Sequence, residues 1–129
     1  MARAADTNVI VRLLVRDDPQ QVALAQQAGQ LGLWVSHVVL VEVAWVLQFR
    51  FGKTLAQVAV VIEGLIDNAR LTIENPEVVT AAVGQMKANR RIDFADAMIV
   101  EMARRAGVAP LLTFDRALSK VDGAELIKR

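Results

Sequence analysis

Five carboxylates stand where chemistry could be done. Asp6 follows the start of the chain, Glu42 lies inside the apolar run Val38 to Leu47, Asp93 and Asp96 are three apart, and Asp115 directly follows Leu111-Leu112-Thr113-Phe114. If Asp6, Glu42, Asp96 and Asp115 converge, like-charge repulsion raises their pKa values, and a divalent cation removes that penalty. Oxygen-only ligation suits Mg2+ or Mn2+, which keep several waters and share phosphate oxygens with a substrate. Such a site can orient and deprotonate a water for in-line attack on a phosphodiester, and a two-ion version stabilises both the attacking and the leaving oxygen. With no cysteine and His37 as the single histidine, thiolate catalysis, zinc-thiolate sites and multi-histidine centres are excluded.

Each acid also has a simpler reading. Asp6, Asp93 and Asp115 suit helix N-caps, and Asp96 suits a first-turn position facing the positive end of a helix dipole. Glu42 suits a structural ion pair with an arginine. Unpaired in an apolar run it would cost several kcal/mol, so it needs a cation, a proton or a metal ion.

The elements that must position these residues are marked by local signals. A chain of 129 residues with 54% hydrophobic and 22% charged residues is one packed domain, because disorder and low-complexity scaffolds need the opposite balance. A short first strand is expected to end near Asp6, with a helix over 8–15 after it. Asp18-Pro19 gives a cap and then proline at the first helical position, for a helix to about Gly29. Leu33-Trp34-Val35 reads as a short buried strand and Ser36 as the cap of the next helix. In Val38 to Leu47 nine of ten residues are apolar, which predicts that this helix is buried. Thr54 and Gln57 form a capping-box pattern for a helix to about Asn68. Leu71 to Ile73 is a strand, Asn75-Pro76 repeats the cap-then-proline signal for a helix to about Lys87, and Asp93 opens a helix that stops at Gly107, a left-handed C-cap. Pro110 to Thr113 is a strand, Arg116 to Lys120 a helical turn and Ala124 to Ile127 a last strand. Short strands alternating with helices predict an α/β fold, a three-layer α/β/α sandwich with a central parallel sheet. In that class the site sits beyond the carboxyl ends of the strands, where Asp6 and Asp115 fall.

The pattern resembles the PIN-domain ribonucleases, specifically the VapC-like toxins of type II toxin–antitoxin pairs. The carriers are Asp6-Thr7-Asn8, Val41-Glu42-Val43-Ala44-Trp45-Val46-Leu47, Asp93-Phe94-Ala95-Asp96-Ala97 and Thr113-Phe114-Asp115, in that order over essentially the whole chain. The resemblance implies that Asp6, Glu42, Asp96 and Asp115 are the metal-binding acids. Asp96 is chosen over Asp93 because it precedes Ala97-Met98-Ile99 as the family acid does, and Asp93 is then auxiliary. Thr7, Asn8 and Thr113 would orient carboxylates or water. The resemblance further implies Mg2+-dependent or Mn2+-dependent RNA cleavage, a homodimer and inhibition by a cognate antitoxin protein.

Basic residues are unevenly placed. Residues 1–83 carry a balance of −2 and residues 84–129 one of +3, and with the four acids set aside 15 cationic side chains face 10 anionic ones. That permits a polyanionic partner. Arg90 and Arg91, just before Asp93, are placed to contact a substrate phosphate. Arg12 is expected at the surface, His37 in a structural role, and Trp34, Trp45, Phe49 and Phe51 in the core, with Phe49 and Phe51 alternatively at a subunit or antitoxin interface. No apolar run is long enough to span a membrane, and the start lacks a secretory h-region, which predicts a cytoplasmic protein. Three other functions compete. A phosphoacceptor receiver domain would need a lysine ending a late strand, where Thr113-Phe114-Asp115 offers none. A haloacid-dehalogenase-type phosphatase would need an acid where Asn8 stands. A non-catalytic PIN-like module would bind RNA or protein without cutting.

Overall fold

The computed structural model describes residues 2–128. Its elements run β1 (Arg3–Ala4), α1 (Thr7–Val15), α2 (Pro19–Ala28), β2 (Leu33–Val35), α3 (His37–Phe49), α4 (Leu55–Ile66), β3 (Leu71–Ile73), α5 (Pro76–Ala88), α6 (Phe94–Arg105), β4 (Leu111–Thr113), α7 (Arg116–Ser119) and β5 (Ala124–Leu126). The alternation expected from the sequence is present, and every strand pairing is parallel. The strands form two ladders, β1-β2-β3 and β4-β5, where one central sheet was expected. β1 is cut to two residues because, after Ala5 N–H bonds Trp34 O at 2.9 Å, Asp6 already caps α1. β4 begins at Leu111, whose N–H bonds Gly123 O at 2.8 Å, since Pro110 has no N–H to give.

Local capping fixes most helix starts as the residue types predict. Asp18 Oδ1 accepts from Gln21 N–H at 3.1 Å ahead of Pro19. Ser36 Oγ accepts from Val39 N–H, and Thr54 and Gln57 close the reciprocal capping box at 2.9 and 3.1 Å. Such caps contribute about 1 kcal/mol each. Asn75 departs from expectation: it sits at the cap position of α5 but makes no side-chain cap bond, because its backbone is left-handed, φ 41°. Gly107 stops α6 as expected. At φ 76° it donates to Arg104 O, while Val108 N–H reaches Ala103 O, both at 3.1 Å, the paired bonds of a Schellman motif.

The core is built from the inward faces of α3 to α6, β2 and β3. Leu40, Val43, Ile62, Val79, Ala82, Ala97 and Val100 are fully buried, and Phe94 is among the largest side chains so enclosed. α3 corrects the expectation of a helix buried on all sides. Leu40, Val43, Ala44 and Leu47 face inward, while Val38, Glu42, Trp45 and Phe49 form an exposed stripe at helical spacing. Trp45 is 57% and Phe49 60% exposed, with ring centroids 5.1 Å apart, so neither is a core residue. Phe51 does pack on the core. Trp34 is also partly exposed, because β2 alternates: Leu33 and Val35 point inward and Trp34 outward.

Candidate functional site

Three of the five acids are N-caps. Asp6 Oδ1 accepts from Val9 N–H at 3.1 Å, Asp93 Oδ1 from Asp96 N–H at 2.8 Å, and Asp115 Oδ1 from Ala117 and Leu118 N–H at 2.8 and 3.2 Å. The capping reading is therefore correct for all three, yet capping occupies only one oxygen. No hydrogen bond to a described residue uses Oδ2 of Asp6, Asp93 or Asp115. A cap and a ligand are compatible roles for one carboxylate, because a helix start favours the ionised form that a cation also needs.

Asp96, in the first turn of α6, is partly buried. Burial pushes its carboxyl above the usual range, the charge of Asp93 raises it further, the Asp93 backbone N–H partly opposes this, and a side-chain hydrogen bond with Asp93 and then the charge of Asp115 add to the rise. The structure thus brings Asp93, Asp96 and Asp115 into one electrostatic neighbourhood, although α6 and α7 start 22 residues apart. Thr113 Oγ1 accepts from Asp115 N–H at 3.0 Å, so the last residue of β4 fixes the backbone of the acid two positions on.

Glu42 corrects an expectation. It is exposed on the outer stripe of α3, makes no ion pair with a described residue and suffers no burial penalty. The neighbouring face of α3 does approach the start of α6, because Val41, Ala44 and Trp45 border a small cavity with Asp93, Phe94 and Ala95. Asp6 is exposed at the carboxyl end of β1, and the side chains of Thr7 and Asn8 make no hydrogen bond to any described acid. Among the described residues, no three carboxylates stand close enough to hold one ion as placed. The full tetrad is therefore not gathered as a ready-made cage, whereas its donor chemistry, carboxylate oxygens with free lone pairs, is that of a hard divalent cation.

Arg90 and Arg91 are exposed in the turn before Asp93, with Arg91 N–H bonded to Asn89 Oδ1 at 3.1 Å. Arg12 is not a surface residue: its side chain is 17% exposed and pairs with Asp17 at 2.5 Å. His37 is buried, with its backbone N–H bonded to Glu74 Oε1 at 2.9 Å and its Nδ1 3.9 Å from the same oxygen. Arg116 and Lys120 are exposed at the start of α7 and just past its end, and carried one sequence signal only, cations four apart immediately after Asp115. No helix among the described residues is long and apolar enough to cross a membrane.

The chain is a parallel α/β domain in which Asp6 and Asp115 cap the helices that follow β1 and β4 and Asp93 caps α6. The PIN domain model matches residues 4–124, from β1 into β5, and the chain belongs to the PIN domain family. The match takes in all five acids and carries with it a nuclease-type α/β/α fold. The receiver and phosphatase alternatives fall with it. No curated protein matches the chain.

Proposed function

We propose that this protein is a cytoplasmic, divalent-metal-dependent endoribonuclease acting as the toxin of a VapC-like toxin–antitoxin pair. The observation that carries the reading is the PIN family match over residues 4–124, which takes in all five acids, with the charges of Asp93 and Asp115 bearing on Asp96 in the fold. Perturbed carboxylates cluster at functional sites, and the caps made by Asp93 and Asp115 use only one oxygen of each beside Asp96. Asp6, Glu42, Asp96 and Asp115 would hold Mg2+ or Mn2+, which when bound supplies charge neutralisation and Lewis acidity at a phosphodiester. Asp93 holds the first turn of α6, and with it Asp96, through its 2.8 Å bond. Thr113 holds Asp115, Thr7 and Asn8 stand beside Asp6 for an attacking water, and Arg90 and Arg91 receive substrate phosphate. In the reaction a water oxygen bonds to phosphorus, its proton passes to an acid of this group, and the P–O bond breaks with its electron pair on the leaving ribose oxygen, which takes a proton from solvent.

The exposed stripe Val38, Trp45 and Phe49 on α3 supports a homodimer, since paired aromatic rings left in water are an interface composition. A cognate antitoxin would complete the system by covering the acidic site. A second reading, a PIN-like module that binds RNA or protein without cutting, is favoured by one observation, the absence of three described carboxylates within reach of one ion.

Expression of wild type and Asp96→Asn in bacteria lacking any antitoxin, with growth and RNA 5′ ends followed together, separates the two. Arrested growth with discrete new 5′ ends from wild type alone supports the nuclease toxin. Normal growth and unchanged RNA from soluble wild type contradicts it in favour of the binding module.

A further inference from the structure

The turn between α5 and α6 carries Arg90 and Arg91, while α7 begins with Arg116 and Lys120 lies just past its end. These two segments, 25 residues apart at their nearest cations, border one cavity of about 560 Å3. Asn89 joins them: its Nδ2 reaches Ala117 O at 3.5 Å while its Oδ1 accepts from Arg91 N–H. All four cationic side chains are exposed, no carboxylate lines the cavity, and none of the four pairs with an acid of a described residue. What sets these four apart is convergence on one concavity free of acids, since other cations of the described residues, such as Arg3 and Arg50, are also unpaired. Four like charges left around one concavity repel, and an anion bound there relieves that repulsion.

We propose that this cavity is a backbone-phosphate subsite for a single-stranded RNA, gripping nucleotides beside the one that is cut; the proposal rests on the nuclease reading of the acidic site. Its position joins the two. Arg116 comes directly after Asp115 and Arg91 precedes Asp93 by two residues, so the cavity borders the two segments that carry these acids, and one strand laid across the acids would reach it with an adjacent phosphate. Guanidinium forks match phosphate oxygens in bidentate pairs. An acidic peptide would want large apolar anchors as well, and the cavity offers only Ala88 and Ala117. Base selection there is weak, because no aromatic side chain lines the cavity and the Asn89 amide is already committed to the backbone. The subsite thus positions the strand and leaves sequence choice to other residues.

The test is binding of a short fluorescently labelled single-stranded RNA to the full chain in EDTA, across a salt series. It compares wild type with Arg116→Gln/Lys120→Gln and Arg90→Gln/Arg91→Gln, and the single reversal Lys120→Glu guards against a double variant that misfolds. Each double change is expected to weaken binding and to flatten the slope of log Kd against log salt by about 1.4, roughly 0.7 for each lost phosphate contact. An unchanged slope in both double variants and in Lys120→Glu overturns the subsite, as does loss of binding to an acidic peptide with RNA binding intact. Cleavage in Mg2+ by wild type and Asp96→Asn is measured on the same RNA. Asp96-dependent cleavage with unchanged slopes would sink the subsite and keep the nuclease. Flattened slopes with no cleavage would keep phosphate binding at the cavity but sink the nuclease, and with it the subsite's place beside a cut nucleotide.

Discussion

Asp93 and Asp96 hold each other in opposed ways: Asp93 Oδ1 accepts the Asp96 backbone N–H at 2.8 Å, while the Asp93 charge raises the proton affinity of the Asp96 carboxyl. The helix start is stabilised by the same carboxylate that makes its neighbour harder to ionise. A cation between such groups removes the conflict, and loading releases whatever proton Asp96 retains.

Asp96→Asn is expected to raise the stability of the metal-free protein at neutral pH. The folded-state pKa of Asp96 lies above its unfolded value, so the folded state binds more proton and stability falls as pH rises through that interval. Because the side chain is only partly buried, the gain from the substitution is below about 1 kcal/mol. Thermal melts in EDTA at pH 7 and at a pH below the ordinary aspartate range check it, with the advantage of the variant disappearing at the acid end. Added Mg2+ should reverse the order by stabilising wild type alone.

Asp93→Ala removes the cap of α6 and is expected to cost about 1 kcal/mol. Asp93→Asn, which can still accept from the Asp96 N–H, should retain most of that stability while lowering the Asp96 pKa, because the nearest like charge is gone. Denaturant melts and NMR titration of the Asp96 carboxyl distinguish the two variants.

Trp45→Glu or Phe49→Glu is expected to leave the fold intact and weaken self-association. Both rings lie outside the core, so the melting temperature at a concentration where wild type is monomeric should shift little, as for ordinary surface substitutions of within about 0.5 kcal/mol. Sedimentation of wild type as a dimer and of either variant as a monomer supports the α3 interface, and a dimer that survives both changes removes it.

The parts of this molecule that are legible in its sequence are those decided within a few residues. Asp18 before Pro19, Thr54 with Gln57, and Gly107 after α6 act through bonds spanning three to five positions, and the structure has each as its residue type predicts. Glu42 is illegible for a physical reason. A run with nine apolar residues in ten carries no periodicity, so nothing in it says which stripe of α3 meets α1, α4 and α6 and which stays in water. Trp45 and Phe49 share that stripe and the same ambiguity. Asn75 has the composition of a cap, but its left-handed backbone takes the side chain out of the role, with Glu74 beside it bonding the start of α3. Of the candidate site, Asp6, Asp93, Asp96 and Asp115 are readable from their places after strands and at helix starts. The grouping of Arg90 and Arg91 with Arg116 and Lys120 is not, because only tertiary packing brings the α5–α6 turn against α7.

Metal-dependent RNA cleavage through Asp96 is decided by incubating purified wild type and Asp96→Asn with a labelled single-stranded RNA in Mg2+, in Mn2+ and in EDTA. Discrete cleavage products are expected with wild type in either metal and none in EDTA. The variant should lose at least about 100-fold in rate, the scale on which removing a group that stabilises transition-state charge acts. Cleavage that survives EDTA or the loss of the Asp96 carboxylate would contradict metal-dependent chemistry through Asp96, and intact RNA with folded wild type in both metals would contradict the nuclease assignment.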